Sequence, residues 1–172
     1  MKSILFFACL FAIATVQAQA DKSKRPSPPA LEKQTLKSGA TVSIDYSQPA
    51  IKGRTIGKDL EPMGGKVWRT GANEATVFET DKDVKVEGKA LPAGKYGLFS
   101  VVDSATGDWT IIFNKTWNQW GAFSYKQADD VLRVKAKHKK ADEFAERMTF
   151  TISKDGDVHL LWGDIDVKFE VK

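Results

Sequence analysis

The sequence predicts an all-β domain: an antiparallel β-sandwich, jelly-roll-like or closing partly into a barrel, with about eight to ten strands and at most a short helix. Three observations lead to this prediction. Short segments alternate apolar and polar residues, turn signals separate these segments at frequent intervals, and no stretch of useful length shows a helical period.

The first predicted strand, residues 41–47, is the clearest of the set. Val42, Ile44 and Tyr46 share one face and the residues between them are polar, which is typical of a half-buried strand. Leu91-Pro92-Ala93-Gly94 predicts a turn, and the Asp-Gly pair within residues 154–157 predicts a hairpin. Further strands are predicted over residues 75–80, 84–87, 96–102, 109–113, 131–138, 147–153, 158–162 and 165–171.

Three segments do not fit the strand pattern. Residues 141–146 are compatible with one turn of helix, and residues 53–65 and 114–125 are irregular. Both irregular segments are long for connections in a compact domain, and long ordered loops often carry function. A functional site is therefore expected on them.

The N-terminal residues indicate export. Residues 1–20 have the charged start, short apolar stretch and small residues at Ala18 and Ala20 that define a secretory signal peptide. Residues 21–38, rich in lysine and proline, are predicted to be a flexible leader, and residues 39–172 a single domain. The only cysteine, Cys9, lies in the signal peptide, so the mature protein is expected to lack disulfides. We expect a periplasmic or extracellular location.

Composition excludes several classes of function. The net charge of +4 on 172 residues is too mild for a typical nucleic-acid binder. No further apolar run reaches the roughly 18 residues of a membrane-spanning helix. We expect no cofactor, because nothing resembles a phosphate-binding loop or a dinucleotide fingerprint. We expect no metal site, because the mature chain has only His138 and His159 and no cysteine.

Several strings of residues carry a resemblance to a known family. They are GKVWRTGANEAT at residues 65–76, LPAGKYGLF at 91–99, WTIIFN at 109–114 and WNQWG at 117–121. In this order they resemble an exported bacterial family, domain of unknown function 2911, over most of the chain after Thr41. The resemblance implies an exported bacterial protein and brings no activity, substrate or catalytic residue with it.

The first candidate site is the string from Trp68 to Glu74. Arg69, Asn73 and Glu74 lie close together in sequence, and Arg54 precedes them by a short distance. An arginine fork suits carboxylate, phosphate or sulfate groups, so these residues are candidates for binding a small anion or a sugar. The alternative is a buried structural cluster in which an Arg–Glu pair and the asparagine satisfy the loop backbone.

Trp117 and Trp120 are the second candidate group. Exposed tryptophan rings offer a large rigid apolar plane that can stack on a sugar ring. The alternative is that this loop closes one end of the core, because tryptophan is usually largely buried. Trp109 and Trp162 lie on alternating segments and are expected in the core. The basic residues Arg133, Lys135 and Lys137 are expected to form a solvated strand face, with anionic glycan or lipid headgroups as the alternative ligand.

Three functions remain open from the sequence. The first is a non-enzymatic binding or accessory module for a carbohydrate or small anion. The second is a glycoside-type or other hydrolase with Glu74 as acid or base. The third is a structural envelope protein. The absence of a nucleophile motif and of a metal-ligand set favours binding over catalysis, although whether the protein is an enzyme stays open.

Overall fold

The computed structural model describes residues 21–104 and 106–172, and the predicted signal peptide lies outside these residues. The described part contains nine strands and two short 3-10 turns, at Lys22–Lys24 and Gln127–Asp129, which confirms the predicted all-β class. The strands are β1 (Pro29–Thr35), β2 (Thr41–Ser47), β3 (Thr76–Thr80), β4 (Val84–Val86), β5 (Lys89–Leu91), β6 (Gly94–Val102), β7 (Trp109–Asn114), β8 (Asp130–Ile152) and β9 (Asp157–Glu170).

Seven of these strands form one antiparallel sheet in the order β1-β2-β3-β6-β7-β8-β9. Strands β4 and β5 form a separate hairpin. The backbone of Lys85 in this hairpin exchanges hydrogen bonds with Lys172 after β9. The predicted turn at Leu91–Gly94 joins β5 to β6.

The hairpin of β8 and β9 curls the sheet back toward its beginning. β8 is 23 residues long. Its first part pairs with β7, whereas Glu146 and Met148 near its end meet the segment that follows β2. Met148 N donates to Pro49 O at 3.0 Å and Ile51 N donates to Glu146 O at 3.0 Å. The sheet is therefore a partly closed barrel, one of the two forms that the sequence predicts.

The predicted Asp-Gly hairpin connects β8 to β9. Ser153 N donates to Asp157 O at 2.9 Å across this turn. Gly156 has a φ of 89°, and a Cβ added there would lie 1.8 Å from Val171 O. Only glycine therefore fits this position.

Residues 141–146 belong to β8, so the predicted helical turn is wrong. The pairing of β8 with β9 shifts register between Lys140 and Ala145 and again between Ala145 and Thr149. Such bulges disturb the regular alternation of a strand, because extra residues on one strand oppose fewer on its partner. The sequence of a bulged strand therefore lacks the pattern by which strands are recognised.

Part of the predicted leader is the first strand of the sheet. Strand β1 pairs with β2 from Pro29↔Ser47 to Thr35↔Thr41, so the ordered sheet begins before the predicted boundary at residue 39. The strand has few apolar residues, and Leu31 is 64% exposed. Its place is decided by backbone pairing with β2, which composition does not reveal.

The core lies on the concave face of the curled sheet. Trp68 and Trp162 stack there with ring centroids 5.6 Å apart, and Trp109 packs edge-on against Trp68 at 6.5 Å. Phe78, Phe113, Phe150 and Phe169 are fully buried beside them. The prediction that Trp109 and Trp162 are core residues is confirmed.

A loop covers part of the opposite, outer face. Phe99 and Ile112 point outward from β6 and β7 and are buried with Ala75 under Ala122 and Tyr125. These two covering residues belong to residues 115–126, which we call the tryptophan loop because it carries Trp117 and Trp120. The outer face of β1, β2 and β3 lies beside this loop.

Candidate functional site

A groove runs over the outer face of β1, β2 and β3 beside the tryptophan loop. It consists of two adjoining hollows of about 230 and 280 Å³, which share Asp45, Val77 and Trp117. Because side chains alternate along a strand, β2 sends Val42, Ile44 and Tyr46 mainly into the core and turns Ser43 and Asp45 toward the groove. The remaining polar lining includes Lys22, Lys33, Ser47, Glu74, Glu79, Lys95, Asn118 and Gln119. We call this surface the outer groove.

Trp117 forms one wall of both hollows. Thr116 N donates to Asn114 Oδ1 at 2.8 Å, and Gln119 N donates to Trp117 O at 3.1 Å, so the backbone on both sides of the Trp117 side chain is fixed. The side chain is 38% exposed. Lys95 Nζ lies 5.1 Å from the ring centroid, a cation–π distance.

The tryptophan loop is anchored by a buried polar cluster. Asn114 is fully buried and donates from Nδ2 to Lys126 O at 2.9 Å and to Asp130 Oδ1 at 2.8 Å. Tyr125 donates its hydroxyl to Asp130 Oδ2 at 2.8 Å. Burial and this hydrogen bond raise the pKa of Tyr125 to about 12, so the phenol stays a donor. These contacts hold both ends of the loop against the sheet.

Glu74 lies where the loop meets the start of β3. Gly121 N donates to Asn73 O at 2.9 Å and Ala75 N donates to Gln119 O at 2.9 Å, so the backbone around Glu74 pairs with the backbone around Trp120. Asn73 has a φ of 59°, a left-handed conformation that asparagine tolerates better than most residues.

The carboxylate of Glu74 is held by two cations from the N-terminal segment. Arg25 Nη1 donates to Oε1 at 3.0 Å and to Oε2 at 2.8 Å, and Lys22 Nζ lies 3.1 Å from Oε1. Partial burial acts to raise the pKa of Glu74. A backbone hydrogen bond and the contacts with Arg25 and Lys22 outweigh it and lower the pKa to about 2. Glu74 is therefore ionised at neutral pH.

Asp45 lines the same hollow and is shifted in the opposite direction. Burial raises the pKa of this carboxyl, and the charge of Glu74 raises it further, against the lowering effect of Lys22. The hollow thus contains two carboxyl groups whose pKa values are moved apart.

The structure brings four of the sequence-predicted site residues to one region. Asn73, Glu74, Trp117 and Trp120 all lie where the tryptophan loop meets β3. Trp120 is 52% exposed, and Arg25 lies over its ring with Cζ 5.8 Å from the centroid.

Of the other three predicted site residues, Trp68 is buried, Arg54 lies elsewhere, and Arg69 reaches the tryptophan loop, where its Nη1 would lie 3.6 Å from a Cβ added at Gly121. Trp68 is 2% exposed, and its Nε1 donates to Gly71 O at 3.0 Å within the core. Arg54 donates to Ile51 O and Ala50 O and lines a separate hollow with Phe144. Arg69 is half-buried, and burial lowers the pKa of its guanidinium. Glu74 pairs with Lys22 and Arg25 instead of Arg69.

Four residues of the site, Lys22, Arg25, Asp45 and Lys95, are not predicted from the sequence. The sequence places Lys22 and Arg25 in the predicted flexible leader, for which no contacts with the domain are expected. Asp45 could have been found from the alternation of β2, which places it on the face opposite the core.

The described residues contain no cluster of three or more His, Asp or Glu side chains arranged to hold a metal ion. His159 instead pairs with Asp166 at 2.7 Å. None of the helical segments in the described ranges has the length and apolar character that crossing a bilayer requires.

The fold and the outer groove define a class: a curled all-β protein with an open polar groove and a tryptophan wall. Residues 27–171 match the family described as protein of unknown function (DUF2911), and the chain belongs to that family. This confirms the resemblance seen in the sequence, and the match includes β1. No curated protein and no solved structure matches the chain.

Proposed function

We propose that this protein is a non-enzymatic carbohydrate-binding module, and that it is exported to the bacterial periplasm or cell surface. The observation that carries the proposal is Trp117, a partly exposed ring that walls both hollows of a groove with polar side chains on its floor. Sugar rings combine apolar faces with hydroxyl edges, so they suit an aromatic plane beside hydrogen-bonding groups. Export rests on the signal-peptide pattern of residues 1–20.

The charges of the outer groove favour a neutral carbohydrate over a small anion. Asp45, Glu74 and Glu79 place three carboxyl groups along it. Two of the lysines in the groove are already paired, Lys22 with Glu74 and Lys95 with Glu79 at 3.1 Å each. These carboxylates would repel an anion in the groove. Sugar hydroxyls, in contrast, can donate hydrogen bonds to carboxylates and accept them from lysines.

The shape of the groove favours a chain of sugars over one compact ligand. Each hollow is smaller than the roughly 300–1,000 Å³ of a typical enclosed small-molecule pocket. The two hollows adjoin along the sheet face and share Trp117. A ligand that extends from one hollow to the other would contact Trp117 in both hollows.

Isothermal titration calorimetry against neutral oligosaccharides, with sulfated oligosaccharides and phosphate for comparison, tests the proposal. We expect a neutral oligosaccharide to bind and Trp117→Ala to weaken its binding about tenfold or more, as truncation of a central interface tryptophan does. Phe123→Ala is the matched control, because Phe123 is an exposed aromatic residue of the same loop and lies outside the lining of both hollows. A preference for the anions, or equal binding by wild type and Trp117→Ala, would contradict the proposal.

A hydrolase is the second candidate, and one observation favours it. Asp45 and Glu74 line the same hollow with pKa values moved in opposite directions, as in acid–base pairs of glycosidases. In the hydrolase hypothesis, Asp45 is the general acid and Glu74 is its ionised partner. Release of reducing ends from the bound oligosaccharide by wild type, abolished in Asp45→Asn while binding persists, would favour this candidate over the first.

A further inference from the structure

The segment that precedes β1 lies against the tryptophan loop side of the protein and begins with the 3-10 turn Lys22–Lys24. We call residues 21–28 the leader segment. Four residues hold it through side chains: Asn73 and Glu74 before β3, Trp120 in the tryptophan loop and Arg147 near the end of β8. We call these four residues the leader-binding site.

The side chain of Arg25 is bound by charge and by ring contact together. Both carboxylate oxygens of Glu74 accept from its Nη1, and its guanidinium lies over the ring of Trp120. Arginine suits this combination better than lysine, because its planar guanidinium stacks on aromatic rings and offers several donors in a fixed arrangement.

Three successive carbonyl groups of the leader segment are also bound. Pro26 O accepts from Arg147 Nη1 at 3.2 Å, Ser27 O accepts from Asn73 Nδ2 at 3.0 Å, and Pro28 O accepts from Gln48 N at 2.9 Å. Proline has no N–H to donate, so a segment with two prolines must be bound mainly through its carbonyls.

One residue of the leader segment, Arg25 before Pro26, has the backbone conformation that proline-containing ligands adopt, whereas Lys22–Lys24 form a 3-10 turn. Arg25 has φ −67° and ψ 148°, close to polyproline II. Polyproline II leaves carbonyl groups free for outside donors, and its low conformational entropy makes it a common form of bound peptide. The conformation, the carbonyl contacts and the arginine contact together describe specific peptide recognition.

We propose that the leader-binding site recognises a basic, proline-containing peptide segment of the Arg-Pro-x-Pro type. In the free protein the site is filled by the chain's own leader segment. A partner protein that presents such a segment exchanges with it. This site is distinct in chemistry from the outer groove, with which it shares only Glu74 among its four members, and the proposal does not depend on carbohydrate binding.

The contacts of the leader segment permit this exchange. They are polar and partly exposed, with 28% of the Arg25 side chain and 40% of the Glu74 side chain accessible. Exposed ion pairs of this kind contribute little and are screened by salt. A tethered segment nevertheless competes at an effective concentration in the millimolar range, so an untethered peptide with the same contacts displaces it poorly.

The test therefore uses a full-chain variant that expels its own leader segment. Lys22→Glu/Arg25→Glu, which we call the expelled variant, places two negative charges beside Glu74, so the leader segment is repelled from its site. The probe is a fluorescein-labelled synthetic peptide with the sequence of residues 21–28, DKSKRPSP. Lys58→Glu/Lys66→Glu is the control with the same change in net charge at exposed positions outside the site. Binding is measured by fluorescence anisotropy at low ionic strength.

We expect the peptide to bind Lys22→Glu/Arg25→Glu at least tenfold more tightly than it binds the wild type or the control. Adding Glu74→Gln or Trp120→Ala to the expelled variant should remove that gain, and a probe with lysine in place of its arginine should bind more weakly. The inference is overturned if the expelled variant, folded by circular dichroism, binds no more tightly than the wild type. It is equally overturned if the gain survives both added substitutions.

Discussion

The five tryptophans of this chain fall into two sets on opposite faces of one sheet. Trp68, Trp109 and Trp162 meet on the concave face, where none is more than 4% exposed. Trp117 and Trp120 lie on the outer face, are 38% and 52% exposed, and each has a cation over its ring. The comparison shows that one residue type supplies core volume on one face and accessible binding surface on the other.

The two sets also differ in what holds them. The inner rings are fixed by one another and by the apolar side chains of the curled sheet. The outer rings are fixed through the backbone of the tryptophan loop, which depends on the polar cluster around Asn114 and Asp130. Stability and binding should therefore respond to different substitutions.

Removal of a ring should give the largest contrast between the two sets. We expect Trp162→Ala to lower the free energy of unfolding by about 3–5 kcal/mol, because it leaves a large cavity in the core. Trp117→Ala should lower it by less than about 1 kcal/mol, as expected for a partly exposed side chain. Urea denaturation followed by circular dichroism measures both, and comparable losses would refute the division into core and surface sets.

Replacement of Asn114 by alanine should make the tryptophan loop, which carries Trp117 and Trp120, more mobile without changing either tryptophan. The substitution leaves buried groups at Asp130, Lys126 and Thr116 without their partner, at an expected cost of about 1–3 kcal/mol. Hydrogen exchange should become faster in residues 115–126 first. Asn118→Ala, in the exposed part of the same loop, is the control and should leave both measurements unchanged.

The indole nitrogens sharpen the comparison within the inner set. Trp68 Nε1 donates to Gly71 O, whereas nothing in the described ranges accepts a hydrogen bond from the buried Trp162 Nε1. Trp68→Phe should therefore cost about 1 kcal/mol more than Trp162→Phe, because only the first leaves a carbonyl without its donor. Urea midpoints of the two variants decide this, and a reversed order would contradict the assignment.

Lowering the pH should give the smallest change in the free energy of unfolding, and it acts through Glu74 on the outer face. The pKa of Glu74 is about 2 in the folded protein, below its ordinary value of 4.5. Its contribution is therefore fully present above about pH 4.5 and is lost as the pH falls toward 2. Because the pair is partly exposed and screened by solvent, we expect only about 0.2–1 kcal/mol. Glu74→Gln should remove this part of the pH dependence in urea titrations between pH 2 and 6, and an unchanged profile would show that the ion pair contributes nothing.

Local patterns predicted the fold wherever one strand face is apolar. The alternation in β2 and the Asp-Gly turn before β9 are local signals, and both are confirmed. β1 and the middle of β8 were missed because neither has an apolar face. Leu31 of β1 points to solvent, and the bulges near Ala145 interrupt the alternation of β8. Both segments become strands through backbone pairing with the next strand of the chain, β1 with β2 and β8 with β9, which the alternation of apolar and polar residues does not reveal.

The candidate site was predicted in part for the same reason. Glu74 and Trp117 are predictable because each lies in an irregular segment of polar and aromatic residues. Arg54 was grouped with them on closeness in sequence, but the backbone turns its side chain to the carbonyls of Ala50 and Ile51. The partners of Glu74 are Lys22 and Arg25. They lie about fifty positions earlier in the chain and reach Glu74 only once the sheet has formed.

The long β8 strand has a consequence for the order of events during synthesis. The contacts that close the barrel join Pro49 to Met148 and Tyr46 to Phe150, so the early strands receive these partners only after roughly 100 further residues have been synthesised. Contacts between such distant residues form slowly, because the intervening chain must first lose its freedom. A ribosome must therefore synthesise the chain from β2 to the end of β8 before the barrel can close, and the early strands stay without these partners until then.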